Sequence, residues 1–200
     1  MLKVAVLVSG RGSNLQALID VCANKDFPTE IVTVISNIPD VYALERAAEA
    51  GIATGVVNHR DYADREAFET ALQEAVAGSG AELICLAGFM RILTAGFVHR
   101  WRDRLVNIHP SLLPSFKGLH VHDQALAAGV RVSGCTVHFV VPEMDAGPII
   151  VQEAVPVLPD DDADSLAARI LEAEHRCYPE ALRLIAEGHT EVVGERVILK

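Results

Sequence analysis

The sequence predicts an α/β fold: an open sheet, mainly parallel, with antiparallel strands toward the C-terminus and helices on both faces. Three observations carry this. Through the first half of the chain, short apolar runs of strand length alternate with segments of helical period, the rhythm of βαβ units. These runs are apolar throughout rather than alternating, as in strands covered on both faces. In the second half, two strand-like runs are separated only by 142-PEMDAG-147, a link that suits an antiparallel hairpin and is too short for a parallel crossover.

Each element has its own warrant. Leu2 to Val8 is a continuous apolar strand, and Asn14 to Cys22 carries Leu15, Leu18, Ile19 and Cys22 at helical spacing. Ile31 to Ile35 is a β-branched strand, Val41 to Ala50 an alanine-rich helix stopped by Gly51, and Ala53 to Val57 a third strand. Asp64 to Ala77 repeats the helical period, and Glu82 to Ala87 is a buried strand. Leu105 to Ile108 is a short strand, His122 to Ala128 a helix, and Cys135 to Val141 and Ile149 to Val155 the two hairpin strands. Ser165 opens the longest helix, to about Glu187, with 160-DDDADS-165 supplying carboxylates to its first turn and the serine as its cap. No repeat or linker divides the chain, so residues 1–200 are expected to form one Rossmann-like domain. Its ligands should bind at the carboxyl ends of the strands.

Composition narrows the function classes. Half of the 200 residues are hydrophobic, enough for a core without disulfides or metal. The formal net charge of −10 argues against nucleic acid or an anionic membrane as partner, because those surfaces are held by Lys and Arg. Cys22, Cys85, Cys135 and Cys177 show no C-x-x-C pairing and are expected to be reduced thiols in a cytoplasmic protein. MLKVAVLV is too short for a signal-peptide core, and no apolar run reaches membrane-spanning length.

Two clusters carry candidate chemistry. In 8-VSGRGSN-14 a strand ends in Gly10 and Gly12, followed by Ser13 and Asn14 where a helix begins. Free amides at a helix N-terminus beside a hydroxyl suit a phosphate, and a capped tight turn is the plainer alternative. The P-loop lysine and the third glycine of the dinucleotide fingerprint are missing. The second cluster is 107-NIH-109 with Asp145 in the hairpin turn. On an extended strand Asn107 and His109 share a face, and Asp145 placed near the histidine would favour its imidazolium form. An amide donor for an oxyanion, a proton-carrying imidazole and a carboxylate make a general acid–base site for acyl transfer to an amine. A serine-hydrolase role for Ser111 lacks a base and orienter that the sequence can supply. His109, His120, His122 and His138 with Asp145 are the residues from which a metal site would be drawn; none is expected.

Five segments carry a resemblance: SGRGSNLQALID, LAGFMRIL, NIHPSLLPSFKGLH, MDAGPII and EAEHRCYPEAL. In this order and at this spacing, the chain resembles the folate-dependent formyltransferases over nearly its whole length. The N-I-H-P-S-L-L-P element marks the wider family, which includes methionyl-tRNA formyltransferases and formyltetrahydrofolate hydrolases. The glycine loop and the E-H-x-x-Y-P helix narrow the resemblance to its phosphoribosylglycinamide formyltransferase branch, in purine biosynthesis.

The resemblance implies direct transfer of a formyl group from 10-formyltetrahydrofolate, as co-substrate, to the amine of 5-phosphoribosylglycinamide, with no permanently bound cofactor. It implies a ribonucleotide-binding half at 1–100 and a catalytic, folate-binding half at 101–200. Asn107 would polarise the formyl oxygen, His109 would deliver a proton toward N10 of the folate, and Asp145 would tune His109. Gly12, Ser13 and Asn14 would hold the phosphate, and Glu174 the ribose or glycinamide end. Folate contacts fall on Arg65, Met90, Arg91, Ile92, Leu93, Val98, Asn107 and the turn Val140, Val141 to Asp145, with His120 accessory. The partners implied are small molecules, for a monomer or homodimer. By residue type alone, Met90, Ile92 and Leu93 would be core, and Arg65 and Glu174 solvated helix charges.

Lys117 and Asp123 depart from the family pattern beside the substrate loop. A methionyl-tRNA formyltransferase would need an RNA-binding surface and normally an added C-terminal domain, which the acidic balance and an end at Lys200 argue against. A hydrolase, in which water replaces the amine, is opposed by the intact glycine loop.

Overall fold

A computed structural model describes Met1–Lys200. Seven strands join in one sheet, in the spatial order Thr54–Val56, Thr29–Ser36, Leu2–Val8, Leu83–Leu86, Leu105–His109, Val132–Phe139 and Ile149–Pro156, with a separate two-stranded ribbon at the C-terminus. The chain gathers into two compact units, Met1–Val106 and Asn107–Lys200, which divide within one strand, β5 (Leu105–His109).

In the first unit, β1 (Leu2–Val8) pairs in parallel with both β2 (Thr29–Ser36) and β4 (Leu83–Leu86), and β3 (Thr54–Val56) pairs in parallel with β2. β1 lies inside the sheet, and every residue from Val4 to Val8, whichever face it projects from, is completely buried, which is why the strand reads as one apolar run. Its helices are α1 (Ser13–Cys22), α2 (Tyr42–Glu49), α3 (Arg65–Gly78) and α4 (Ala95–Arg100). Leu15, Leu18 and Ile19 bury the inner stripe of α1, and Ala43 and Ala47 that of α2, whose small side chains let it lie close. Phe68, Leu72 and Val76 do the same for α3.

In the second unit, β6 (Val132–Phe139) and β7 (Ile149–Pro156) pair antiparallel, the arrangement that the short turn 142–147 predicts. They pack against α6 (Ala163–Ala186), which buries Leu166, Ile170, Ala173, Cys177, Tyr178, Ala181 and Leu182 along one stripe. A shorter helix, α5 (Val121–Ala127), precedes β6.

Several expectations need correction. Asp162, not Ser165, is the N-cap of α6: the Asp162 carboxylate accepts from the Ser165 amide at 2.8 Å, and the Ser165 hydroxyl accepts from the Asp162 amide at 3.0 Å. The serine therefore closes a reciprocal capping box from the third helical position. β6 runs from Val132 to Phe139 rather than from Cys135 to Val141; Pro142 just beyond has no amide to donate to a ladder. A 3-10 turn at His59–Asp61, α4, and a hairpin of β8 (Thr190–Val193) and β9 (Arg196–Leu199) were not anticipated. A six-residue helix is too short to show a period, and 190-TEVVGERVIL-199, with its turn at Gly194-Glu195, is exposed or half-exposed throughout, so burial imposes no pattern on it.

The start of α4 depends on a buried carboxylate. Glu69, on α3, accepts from the Thr94 amide at 2.7 Å and from the Thr94 hydroxyl, while that hydroxyl caps the amide of Phe97. Removing the carboxylate leaves a buried donor unpaired. Glu69→Ala should therefore destabilise the protein by roughly 1–3 kcal/mol, read as a fall in the urea midpoint, with Glu69→Gln intermediate because its amide oxygen still accepts.

Candidate functional site

The first unit builds a phosphate-sized cleft from its strand ends. β1 stops at Val8, and Ser9 to Gly12 turn the chain into α1. Gly12 is the N-cap, with a left-handed φ of 73°, and no side chain caps the helix, so the first-turn amides have no acceptor within the helix. A Cβ at Gly12 would lie 2.7 Å from the Ala43 Cβ, so the loop needs glycine for both space and backbone angle. The loop carbonyls are occupied from behind: Ala43 donates its amide to the Gly10 oxygen at 3.1 Å, and Arg46 its Nε to the Arg11 oxygen at 3.0 Å. The Ser9 hydroxyl donates to Asn37 Oδ1 at 2.5 Å and accepts from the Met90 amide at 2.8 Å, tying together the loops that follow β1, β2 and β4. The resulting cleft, about 220 Å³, is lined by Ser9 to Asn14, Ala87, Gly88 and Met90. Partly exposed backbone amides at a helix N-terminus, with Ser13 among them, suit an anion.

The second unit builds an acid–base cluster where β5 ends. Asn107 is half-buried and His109 is 5% exposed, both on the same face of the strand. His109 Nδ1 lies 3.6 Å from Asp145 Oδ2, and its Nε2 lies 2.9 Å from the Phe116 carbonyl. Both ring nitrogens thus face acceptors. The Asp145 carboxylate is held in turn by the Gly118 amide at 2.8 Å. Asn107 Nδ2 lies 3.4 Å from His138 Nε2, a partnership nothing in the sequence marks, since the two lie 31 residues apart on different strands.

The surrounding backbone is strained. Phe116, His120 and Asp145 all take left-handed φ values, of 54°, 55° and 50°, which cost side-chain-bearing residues energy and cluster at functional sites. The turn carrying Asp145 closes tightly: a Cβ on Gly147 would sit 1.8 Å from the Phe139 carbonyl oxygen, so the turn presses on the end of β6 and only glycine fits.

The remaining expected residues separate by unit. In the first, Arg65 opens α3, the Arg91 guanidinium lies over the Phe68 ring at 5.8 Å, and Met90 and Ile92 are 70% and 65% exposed. The last two are not the core residues their type suggests. Leu93 and Val98 are buried. In the second, Val140 and Val141 follow β6 and are half-exposed, His120 is exposed with Nδ1 3.9 Å from Asp123, and Glu174 is 6% exposed on α6. Glu174 is thus not the solvated charge expected of a helix carboxylate. His109, His120, His122 and His138 with Asp145 do not gather into a group of three or more placed to hold a metal ion. The cysteines are free thiols; burial pushes Cys22 up to about 11, and a hydrogen bond with Cys177 and burial push Cys135 up, far from the range of a reactive thiolate. No helix is long and apolar enough to cross a membrane.

Known proteins resemble the chain over most of its length. Residues 2–182 match the formyl transferase family model. The phosphoribosylglycinamide formyltransferase of Escherichia coli is 43% identical, over 96% of this chain and 90% of its own. The trifunctional purine biosynthetic protein adenosine-3 of Drosophila melanogaster is 55% identical over 93% of this chain, which spans only 14% of that protein's length. The crystal structure of glycinamide ribonucleotide transformylase 1 from Symbiobacterium toebii superposes with a TM-score of 0.97 at 48% identity, covering all of this chain and 94% of that one.

The first cleft has a direct test. Gly12→Ala should weaken binding of ribose 5-phosphate by about tenfold or more, one decade per 1.4 kcal/mol of strain and lost approach, in a calorimetric titration. Unchanged affinity would mean that the loop does not hold the phosphate.

Proposed function

Because the chain belongs to the formyl transferase family, we propose that it transfers the formyl group of 10-formyltetrahydrofolate to the amine of 5-phosphoribosylglycinamide. The products are formylglycinamide ribonucleotide and tetrahydrofolate, in de novo purine synthesis. The observation that carries this reading is the Asn107, His109 and Asp145 cluster: a buried imidazole at a strand end, a carboxylate 3.6 Å from its Nδ1, and an amide on the same strand face.

The chemistry needs no covalent enzyme intermediate. The amine nitrogen bonds to the formyl carbon, and the carbonyl electron pair moves onto oxygen, where an N–H of Asn107 receives the growing charge. The former amine loses a proton to solvent. N10 of the folate takes a proton from His109 and leaves with the electron pair of its bond to carbon, and the oxyanion pair restores the carbonyl. With Nδ1 turned to Asp145, Nε2 is the nitrogen that delivers the proton, and N10 takes the place of the Phe116 carbonyl that Nε2 now faces. Asp145 balances the charge on the ring.

Gly12, Ser13 and Asn14 are assigned to the ribonucleotide phosphate, supported by the uncapped start of α1, and Glu174 to its ribose or glycinamide end. Arg65, Met90, Arg91 and Ile92 are assigned to the folate, with Leu93 and Val98 backing them from the core, together with Val140, Val141 and the turn to Asp145. His120 is accessory. The enzyme would act on small molecules in the cytoplasm, as a monomer or a homodimer.

Following deformylation of the folate by absorbance with and without glycinamide ribonucleotide separates this reading from a hydrolase. Turnover should require the ribonucleotide, and turnover indifferent to it would overturn the reading. Asp145→Asn should lower kcat by about 10²–10⁴-fold and leave the ribonucleotide Kd within about twofold, because an asparagine keeps a hydrogen-bonding group without the charge. Wild-type turnover in that variant would remove Asp145 from the mechanism.

A further inference from the structure

We propose that His138 is a positioning residue for formyl transfer: held as the Nδ1–H tautomer, it fixes the Asn107 side chain with its NH2 group turned to the ring and its second N–H left for the formyl oxygen. This rests on the formyl-transfer reading above.

The argument begins with the carbonyl of Phe139. His138 Nδ1 lies 3.0 Å from that oxygen, which only accepts, so Nδ1 carries the hydrogen. The ring is 2% exposed, and burial pushes its pKa down; His109 and Lys117 push the same way, while the Phe139 hydrogen bond and Asp145 oppose. A neutral ring protonated on Nδ1 has a lone pair on Nε2. The group facing that lone pair is Nδ2 of Asn107, at 3.4 Å.

The consequence concerns the amide, whose two ends have opposite polarity. Rotated by half a turn, Asn107 would set its Oδ1 against the Nε2 lone pair, two acceptors facing each other. The Nδ1–H tautomer therefore disfavours the rotated state. The same rotation would bring the oxygen end around toward the formyl oxygen and repel the charge that develops there. By accepting one N–H, His138 selects the orientation in which the amide's other N–H serves as donor. It touches neither substrate, and its whole effect passes through Asn107.

Two variants and one spectrum test this. His138→Phe keeps a flat ring and removes the acceptor; kcat should fall by about ten- to a hundredfold, below the loss of an oxyanion donor itself, with KM for both substrates within about threefold. His138→Gln places an amide oxygen near the Nε2 position and should recover most of that loss. Equal losses in the two variants, or losses carried by KM, would overturn the proposal. Imidazole ¹⁵N spectra of the wild-type protein should show His138 protonated on Nδ1 and bare on Nε2 at neutral pH. A proton on Nε2 would overturn the proposal even if His138→Phe failed to fold. Lack of ribonucleotide-dependent turnover in the wild type would instead condemn the formyl-transfer reading, and the spectrum would still decide the tautomer.

Discussion

The contact between His109 and Asp145 is what the proposed chemistry depends on, and it exists because two constraints meet. The two-residue period of β5 places Asn107 and His109 on one face, so a strand end presents an amide and an imidazole together. The turn after β6 must then bring a carboxylate to the ring. It does so by closing so tightly that Gly147 leaves no room for a Cβ beside the Phe139 oxygen, and by holding Asp145 in a left-handed conformation. The Gly118 amide fixes the carboxylate from the other side. Strain in these loops is tolerated because β6, β7 and α6 form a close-packed support around it.

The first unit applies the same logic to a different end. Its parallel strands stop along one edge, and the loop after β1 enters α1 through a glycine with no capping side chain, so helix amides stay available to an anion. Ser9, Asn37 and Arg46 spend their hydrogen bonds on holding that loop. Precision in both units comes from backbone held by neighbours, which is how a site on loops gains the rigidity of strands and helices.

Much of this was legible in the sequence. Apolar and β-branched runs marked β1, β2 and β4, helical stripes marked α1 and α3, the acidic start DDDADS marked α6, and the short turn marked the antiparallel pair; burial imposes the runs and stripes directly. The N-x-H spacing placed Asn107 and His109 on one strand face by the same kind of periodicity. What stayed hidden depends on distant neighbours. The pairing of His138 with Asn107 and of Glu69 with Thr94 joins residues 31 and 25 positions apart, and the burial of Glu174 follows from where α6 packs. The exchange of roles between Asp162 and Ser165 shows the limit locally: in DDDADS several residues are fit to cap, and only the backbone angles choose.

If Asp145 acts only through His109, the two residues form one device and their losses cannot add. The most direct measurement is a double-mutant cycle on kcat with His109→Asn, Asp145→Asn and the pair together. The account predicts that the double variant turns over no more slowly than His109→Asn alone. Losses that multiply would show Asp145 acting independently of the imidazole, and would contradict it.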